Sequence, residues 1–347
     1  MIVEMDFPTA WALQKTEKAV FIDVRSEKEY ALDHIPNAIN IPILNDAIRE
    51  KTGTLYKQAG HEEARIYALR EVAPLLPALL EQILHLSKEA KIILYCWRGG
   101  MRSQAMAAFL NIMHLPAIRL NRGYKGYREH IRSFWEQPFP LPIAVLHGFT
   151  GIGKTRIINA FAALPNAENQ AIDLEGLAGH RGSAFGAIGL PVQPSQKMFE
   201  SLLWQAVQNF TNNKPVLVEC ESKRIGRLFL PDTLCEAMRN GIAIFAEDTQ
   251  ANRVEKILQD YEPEKQITAI IQAIGRLKDR LGREQVAELT QSIEKGMYKP
   301  VVAMLLKEYY DPLYKHTKQK ENHYDLKVNA ADCDAAARVI SEFLVNR

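Results

Sequence analysis

Seven consecutive residues, Cys96, Trp97, Arg98, Gly99, Gly100, Met101 and Arg102, bring together a thiol, two guanidiniums and two glycines. Cysteine attacks as the thiolate, a form favoured where loop amides and a helix N-terminus converge on the sulfur. Trp97 to Arg102 would then bind an anionic donor beside Cys96. A second loop, Gly148-Phe149-Thr150-Gly151-Ile152-Gly153-Lys154-Thr155, has the form G-x-x-x-x-G-K-S/T. Gly148, Gly151, Ile152 and Gly153 shape a cradle whose amides suit a diphosphate. Lys154 would bridge its oxygens, and Thr155 could hold a magnesium ion.

Both loops sit between a strand pattern and a helix pattern. The apolar run Lys91-Ile92-Ile93-Leu94-Tyr95 precedes Cys96, and Met106, Phe109, Leu110 and Met113 follow at helical spacing. Ile143-Ala144-Val145-Leu146-His147 precedes the second loop, and Ile157, Phe161 and Leu164 continue as a helical stripe. A further strand, Pro215-Val216-Leu217-Val218-Glu219-Cys220-Glu221, supplies acids. Glu219 is the first candidate for the metal side and Glu221 the second, against the alternative of a solvated acid at a strand edge. Asp173 and Glu175 end an earlier short strand and rank lower. Cys220 reads as a small buried residue rather than a nucleophile. In the glycine-rich stretch 179–186, His180, Arg181 and Ser183 suit substrate phosphate or ribose, and a structural turn fits nearly as well. Lys223, Arg224 and Arg227 beside the phosphate loop read as an electrostatic funnel.

The 347 residues suffice for two domains. Three prolines within 136–142 mark a stiff linker, dividing residues 1–135 from 143–347. With 47% hydrophobic and 24% charged residues the chain is an ordinary globular one, neither fibrous nor disordered. A net charge of +2 leaves any nucleic-acid footprint to local clusters. Arg119, Arg122, Lys125, Arg128 and Arg132, interleaved with Tyr124 and Tyr127, form one. They read equally as a phosphate-binding, base-stacking surface and as a domain-closing helix with a solvated basic face. Residues 44–90 are a largely helical insertion whose polar start, 53–60, covers the sheet or lines the Cys96 mouth. Ile267, Ile270, Ile271, Ile274, Leu277 and Leu281 form one apolar stripe, and Val339, Ile340, Phe343 and Leu344 another. Tyr298-Lys299 and the stretch from Tyr309 to His316 could reach a partner. The N-terminus does not read as a secretion signal, and Pro74, Pro77 and Glu81 break the apolar stretch 72–86, so no membrane association is expected. Cysteines at 96, 220, 235 and 333 suit neither a disulfide framework nor a zinc site, which points to the cytoplasm.

Asp23-Val24-Arg25, His34-Ile35-Pro36-Asn37-Ala38 and the Cys96 loop together resemble the rhodanese family over roughly residues 1–135. The resemblance implies an α/β domain around a parallel sheet, with Cys96 carrying sulfur as a persulfide. One departure is notable. Single-domain rhodaneses place four residues between cysteine and loop arginine, whereas five separate Cys96 from Arg102. Five is also the spacing of cysteine phosphatases. Those usually carry histidine before the cysteine, where this chain has Tyr95, so chalcogen transfer is preferred. The longer loop suits a phosphate or a selenium donor.

Taken with the 148–155 loop, His180-Arg181-Gly182-Ser183-Ala184-Phe185-Gly186 and Glu219-Cys220-Glu221-Ser222-Lys223-Arg224-Ile225-Gly226, the whole chain resembles the bacterial tRNA 2-selenouridine synthase family. That resemblance implies a rhodanese-like domain followed by a P-loop NTPase-like α/β domain with a helical C-terminal part. It implies wobble 2-thiouridine (U34) in tRNAs for lysine, glutamate and glutamine as substrate. Geranyl diphosphate would prenylate the sulfur, and selenophosphate would then supply selenium through Cys96. No resident cofactor is implied beyond the magnesium option at Thr155 and Glu219, and no stable protein partner. Two other classes stay open: an ATP-dependent kinase or NTPase fused to a rhodanese sulfur carrier, and a non-catalytic tRNA-binding scaffold.

Overall fold

A computed structural model of the chain describes residues 3–165, 170–210, 213–313 and 323–346. His316 of the proposed partner-binding stretch lies outside the described residues. The chain forms two compact units. The first runs through Glu136 and includes Ser195–Trp204; Gln137–Pro194 and the residues from Gln205 onward form the second.

The first unit contains β1 (Val3–Met5), α1 (Phe7–Thr16), β2 (Ala19–Asp23), α2 (Glu27–Leu32) and β3 (Ile39–Asn40). The insertion follows as α3 (Asp46–Gln58), α4 (His61–Val72) and α5 (Leu76–Ser87). Then come β4 (Lys91–Tyr95), α6 (Met101–Ile112), β5 (Ala117–Leu120) and α7 (Gly123–Trp135). The sheet order is β1-β5-β4-β2-β3, all parallel. A parallel sheet is covered on both faces, which is why β4 reads as an unbroken apolar run and is buried from Ile92 to Tyr95. The β4 strand is central, so its carboxyl end, where Cys96 begins, is where open α/β sheets bind ligands.

Register places Asp23 of β2 opposite Tyr95. Just beyond, the Arg25 guanidinium is buried and holds Asp23 through Nε at 3.0 Å and Nη2 at 2.6 Å, and it donates to the Asp33 carbonyl at 2.7 Å. It lies 4.2 Å from the Tyr124 ring centre. The Asp-x-Arg motif is therefore a buried clamp, and Tyr124 and Tyr127 are fully buried core residues, unable to stack bases. Of the two readings of the basic segment, the structure supports the domain-closing helix. Arg122 pairs with Glu129, and Arg128 pairs with Glu200. Ser195–Trp204 joins this unit because buried Trp204 packs 4.8 Å from Trp11 and 5.6 Å from Phe7, ring centre to ring centre.

The second unit begins with β6 (Ile143–His147), α8 (Lys154–Ala163), β7 (Gln170–Ile172), α9 (Leu174–Ala178) and α10 (Gln196–Gln208), the last shared with the first unit. It continues with β8 (Val216–Glu219), the hairpin β9 (Arg224–Ile225) and β10 (Leu228–Phe229), α11 (Asp232–Arg239), β11 (Ile242–Glu247) and α12 (Gln250–Tyr261). The helices α13 (Ile267–Gly275), α14 (Lys278–Leu281), α15 (Arg283–Glu294) and α16 (Tyr298–Leu305) precede β12 (Leu326–Asn329) and a last helix, Cys333–Val345. The sheet order is β12-β11-β6-β8-β7, again parallel, with β6 central. The stripe from Ile267 to Leu281 spans two helices, α13 and α14, because the chain breaks helix at Arg276 and Leu277. In the last helix Ile340 and Leu344 are buried, but Val339 faces solvent. Among the described residues no helix is long and apolar enough to cross a membrane.

Replacing Arg25 by methionine leaves the Asp23 carboxylate buried and unpaired. It is expected to cost ~3–5 kcal/mol in urea unfolding of the first unit, and the Asp23→Asn/Arg25→Met double variant should recover part of that loss. A loss below about 1 kcal/mol would contradict the clamp.

Candidate functional site

Cys96 leaves β4 directly and is buried, at 3% exposure. Its Sγ lies 3.2 Å from Ser103 Oγ and 3.7 Å from the Gly100 carbonyl. Ser103 sits in the first turn of α6, fully buried. Its hydroxyl can donate to the sulfur, a role the sequence reading did not assign. The loop is packed against the start of α7: Tyr124 N donates to the Cys96 carbonyl at 2.8 Å and Lys125 N to that of Trp97 at 2.9 Å. Gly123, at φ 53°, lies where a Cβ would come 2.1 Å from the Cys96 carbonyl oxygen, so the two segments approach as only glycine permits. Arg119 Nη1 donates to the Gly99 carbonyl at 2.5 Å.

The remaining loop residues divide. Arg98 is exposed, and Trp97 is partly so. Arg102 carries its charge already paired, donating to Glu29 at 2.5 and 3.2 Å. Burial alone would raise the Glu29 carboxyl, but its hydrogen bond and ion pair with Arg102 hold it below the usual carboxylate range. Glu29 also closes the Ser26 capping box of α2. Tyr95, in the place a phosphatase gives to histidine, is buried and accepts from Ile35 N at 3.2 Å; burial pushes its phenol well up, so it stays neutral.

In the second unit the 148–155 loop leaves β6, and Lys154 opens α8. Gly151 and Gly153 take φ values of 77° and 92°. Two cations from α12, absent from the sequence reading, hold the loop. Arg253 Nε donates to the Thr150 carbonyl at 2.9 Å while its Nη2 pairs with Asp311 at 2.6 Å. Lys256 Nζ donates to the Ile152 carbonyl at 3.0 Å, to Asp248 at 2.8 Å and to the Ala330 carbonyl at 2.5 Å. An apolar cavity of about 70 Å³ borders Thr150, walled by Ile257, Tyr261 and Val302 among others.

The acids are arranged differently from the sequence expectation. Thr155 Oγ1 donates to Glu175 Oε2 at 3.0 Å, so the carboxylate at the loop is Glu175, the lower-ranked candidate. Glu175 lies in the first turn of α9 rather than on a strand, with Asp173 capping that helix. Glu219 is fully buried; one oxygen accepts from Glu175 N at 2.9 Å and the other has no hydrogen-bond partner. Burial, with the Asp173 carboxylate nearby, pushes it well above the usual range. Glu219 is thus no solvated edge acid; it supports Glu175 from within the fold. Burial likewise pushes Glu221 up to about 7; Lys154 draws it down, and Glu175 adds to the rise. Cys220, between them, is half-buried. Among the described residues, no group of three or more His, Cys, Asp or Glu side chains is arranged to hold a metal ion.

The loop 179–186 runs over these acids, and a Cβ on Gly182 would meet Glu221 Oε2 at 2.5 Å. His180 is wedged between Gly186 and Gly226 with Nδ1 buried, and burial lowers its pKa. Arg181 donates to the Ile188 carbonyl at 2.8 Å and stacks 4.7 Å from the Tyr261 ring centre, whose hydroxyl lies 3.4 Å from Ser183 Oγ. The funnel cations are engaged locally. Lys223 pairs with Asp232 at 2.5 Å, Arg224 donates to the Gly226 carbonyl at 2.7 Å, and Arg227 donates to the Gln193 carbonyl. They shape the β9–β10 hairpin, and all three remain exposed.

Comparison with known proteins adds a family to this geometry. A family model described as the tRNA 2-selenouridine synthase AAA domain matches residues 141–342, and one described as a rhodanese-like domain matches residues 7–130. A tRNA 2-selenouridine synthase of Hydrogenovibrio crunogenus is 33% identical over 330 residues, covering 86% of this chain and 89% of its own. One from Shewanella sp. strain ANA-3 is 30% identical over 336 residues, and one from Nitrosomonas europaea 31% over 347 residues, with the same coverage.

The raised Glu221 carboxyl has a pH consequence. Between its ordinary 4.5 and about 7, the folded chain holds a proton that the unfolded chain releases, so this group costs stability as pH rises through that window. Glu221→Gln is expected to gain on the wild type by on the order of 2 kcal/mol between about pH 5 and about pH 8. A pH-independent difference in urea unfolding would contradict this.

Proposed function

The chain belongs to the tRNA 2-selenouridine synthase family, and from that premise we propose that it converts wobble 2-thiouridine of tRNA to 2-selenouridine in two steps. In the first, the thione sulfur attacks the first carbon of geranyl diphosphate. A C–S bond forms, the C–O bond breaks, diphosphate leaves and the base loses its N3 proton. In the second, Cys96 is first loaded from selenophosphate: water takes the phosphoryl group, the Se–P bond breaks and phosphate leaves. A disulfide oxidant accepts the two electrons released as the S–Se bond forms, and the outer selenium then adds to C2. The C2–S bond breaks, and geranyl thiolate departs and takes a proton. A thiol reductant then splits the S–Se bond and restores Cys96.

The observation carrying this reading is one chain with two glycine loops of different chemistry, each at the carboxyl end of the central strand of its own parallel sheet. The first presents a thiol. The second has the amide-rich shape for a diphosphate, needed here as a leaving group rather than as fuel. Alkylation converts a poor leaving group, the thione, into a better thiolate.

Lys154 would grip the departing diphosphate, and the 151–155 amides would orient it. A magnesium ion there would neutralise diphosphate charge; Thr155 and Glu175 are the adjoining oxygens that would hold it, with Glu219 bonded behind Glu175. Ser103 would hold the Cys96 sulfur in place. Arg98 is the exposed loop cation for selenophosphate, and Glu29 orients Arg102 for the same anion. Substrates would be the tRNAs for lysine, glutamate and glutamine, met in the cytoplasm.

Cys96→Ala is expected to spare geranylation and abolish selenation; 2-selenouridine still formed by that variant would remove Cys96 from the chemistry. Lys154→Ala should lower kcat/KM for geranylation roughly 10- to 100-fold, the worth of one charge-assisted contact. Unchanged geranylation kinetics would refute the assignment of the second loop. Substrate-stimulated ATP hydrolysis by the purified protein would favour the kinase or NTPase reading instead.

A further inference from the structure

A larger cavity lies in the first unit, at the helical end of the Cys96 loop. It has a volume of about 670 Å³ between α3, α4 and α6, within the roughly 300–1,000 Å³ of small-molecule sites. Its inner wall includes Ile43, Leu44 and Val72, which share one contiguous apolar cluster with Cys96. Its mouth leaves large apolar side chains in water: Leu69 is 59% exposed, Met101 58% and Tyr56 48%. Exposed apolar groups gathered around a cavity mark a surface that something apolar covers.

Charge narrows the occupant. The lining carries three arginines, Arg49, Arg65 and Arg102, and no carboxylate. Arg49 and Arg102 share the single carboxylate of Glu29, so the rim keeps positive charge. An apolar cavity with a cationic rim suits a hydrocarbon chain attached to a polyanion. Position narrows it further. Met101 and Arg102, which line the cavity, open the helix whose first turn carries Ser103 against the Cys96 sulfur.

We propose that this cavity seats the prenyl chain of the S-prenylated tRNA base while selenium is delivered from Cys96. The proposal rests on the two-step reading above and assigns the prenylated intermediate a site of its own in the first unit. A ten-carbon chain would cover the exposed mouth, and Arg49 and Arg65 would meet phosphates of the RNA while Arg102 faces the selenium donor. The departing prenyl thiol would leave from the same cavity. Selenation would then favour long S-alkyl chains over short ones.

The test uses the full-length protein, selenophosphate and anticodon stem-loop RNAs carrying either S-geranyl- or S-methyl-2-thiouridine, which bypass prenylation. Ala68→Trp and the milder Ala108→Leu narrow the cavity from α4 and α6. The expected result is a rise in KM of about tenfold for the S-geranyl RNA with Ala68→Trp, equivalent to losing roughly two buried methylene groups. The S-methyl RNA should change less than about twofold, with Ala108→Leu intermediate and geranylation of 2-thiouridine RNA unaffected. Equal effects on both RNAs, or none, would overturn the proposal. Self-association lost on Ala68→Trp without chain-length discrimination would also overturn it, assigning the face to a second copy of the chain. If the wild type fails to selenate the S-geranyl RNA, it is the two-step reading itself that falls.

Discussion

A cation removed from water must be fully partnered, and both loops of this protein are built on that constraint. In the first unit, Arg25 is buried among Asp23, the Asp33 carbonyl and the Tyr124 ring. These partners come from β2, the turn after α2 and the start of α7. The same start of α7 donates to the carbonyls of Cys96 and Trp97. In the second unit, Arg253 and Lys256 hold the carbonyls of Thr150 and Ile152 while their charges go to Asp311 and Asp248. Carbonyls tied down in this way fix the path of each loop into the helix that follows it. Removing one partner of such a pair strands the other in the interior.

Much of this was legible in the residues because the loops are short-range features. Strand, glycine turn and helix follow one another directly at Cys96 and at Lys154, so apolar runs and spacing sufficed. Asp23 and Arg25 marked the first domain for the same reason, although their role as a buried clamp emerges only from register with Tyr95.

What was not legible depends on long-range pairing. Glu219 ends a strand and carries an acid, which is the pattern of a metal-side residue. Only the fold shows that Glu175, 44 positions earlier, turns on a helix and meets Thr155 while Glu219 supports it from beneath. Arg253 and Lys256 lie on one face of a helix that reads as ordinary surface. Tyr124 and Tyr127 alternate with cations as a nucleic-acid surface would, yet helical spacing turns both inward, Tyr127 against Phe7 and Trp204 and Tyr124 against Arg25. The large cavity beside α6 has no sequence pattern at all, since α3, α4 and α6 contribute scattered small and aliphatic residues.

The central claim is that one chain primes a thione with a prenyl group and then exchanges the prenylated sulfur for selenium. Mass spectrometry of nucleosides from 2-thiouridine tRNA, incubated with the protein and each donor in turn, tests it most directly. With geranyl diphosphate alone the account predicts S-geranyl-2-thiouridine, and with both donors 2-selenouridine. Formation of 2-selenouridine from selenophosphate alone, with no prenyl donor present, would contradict it.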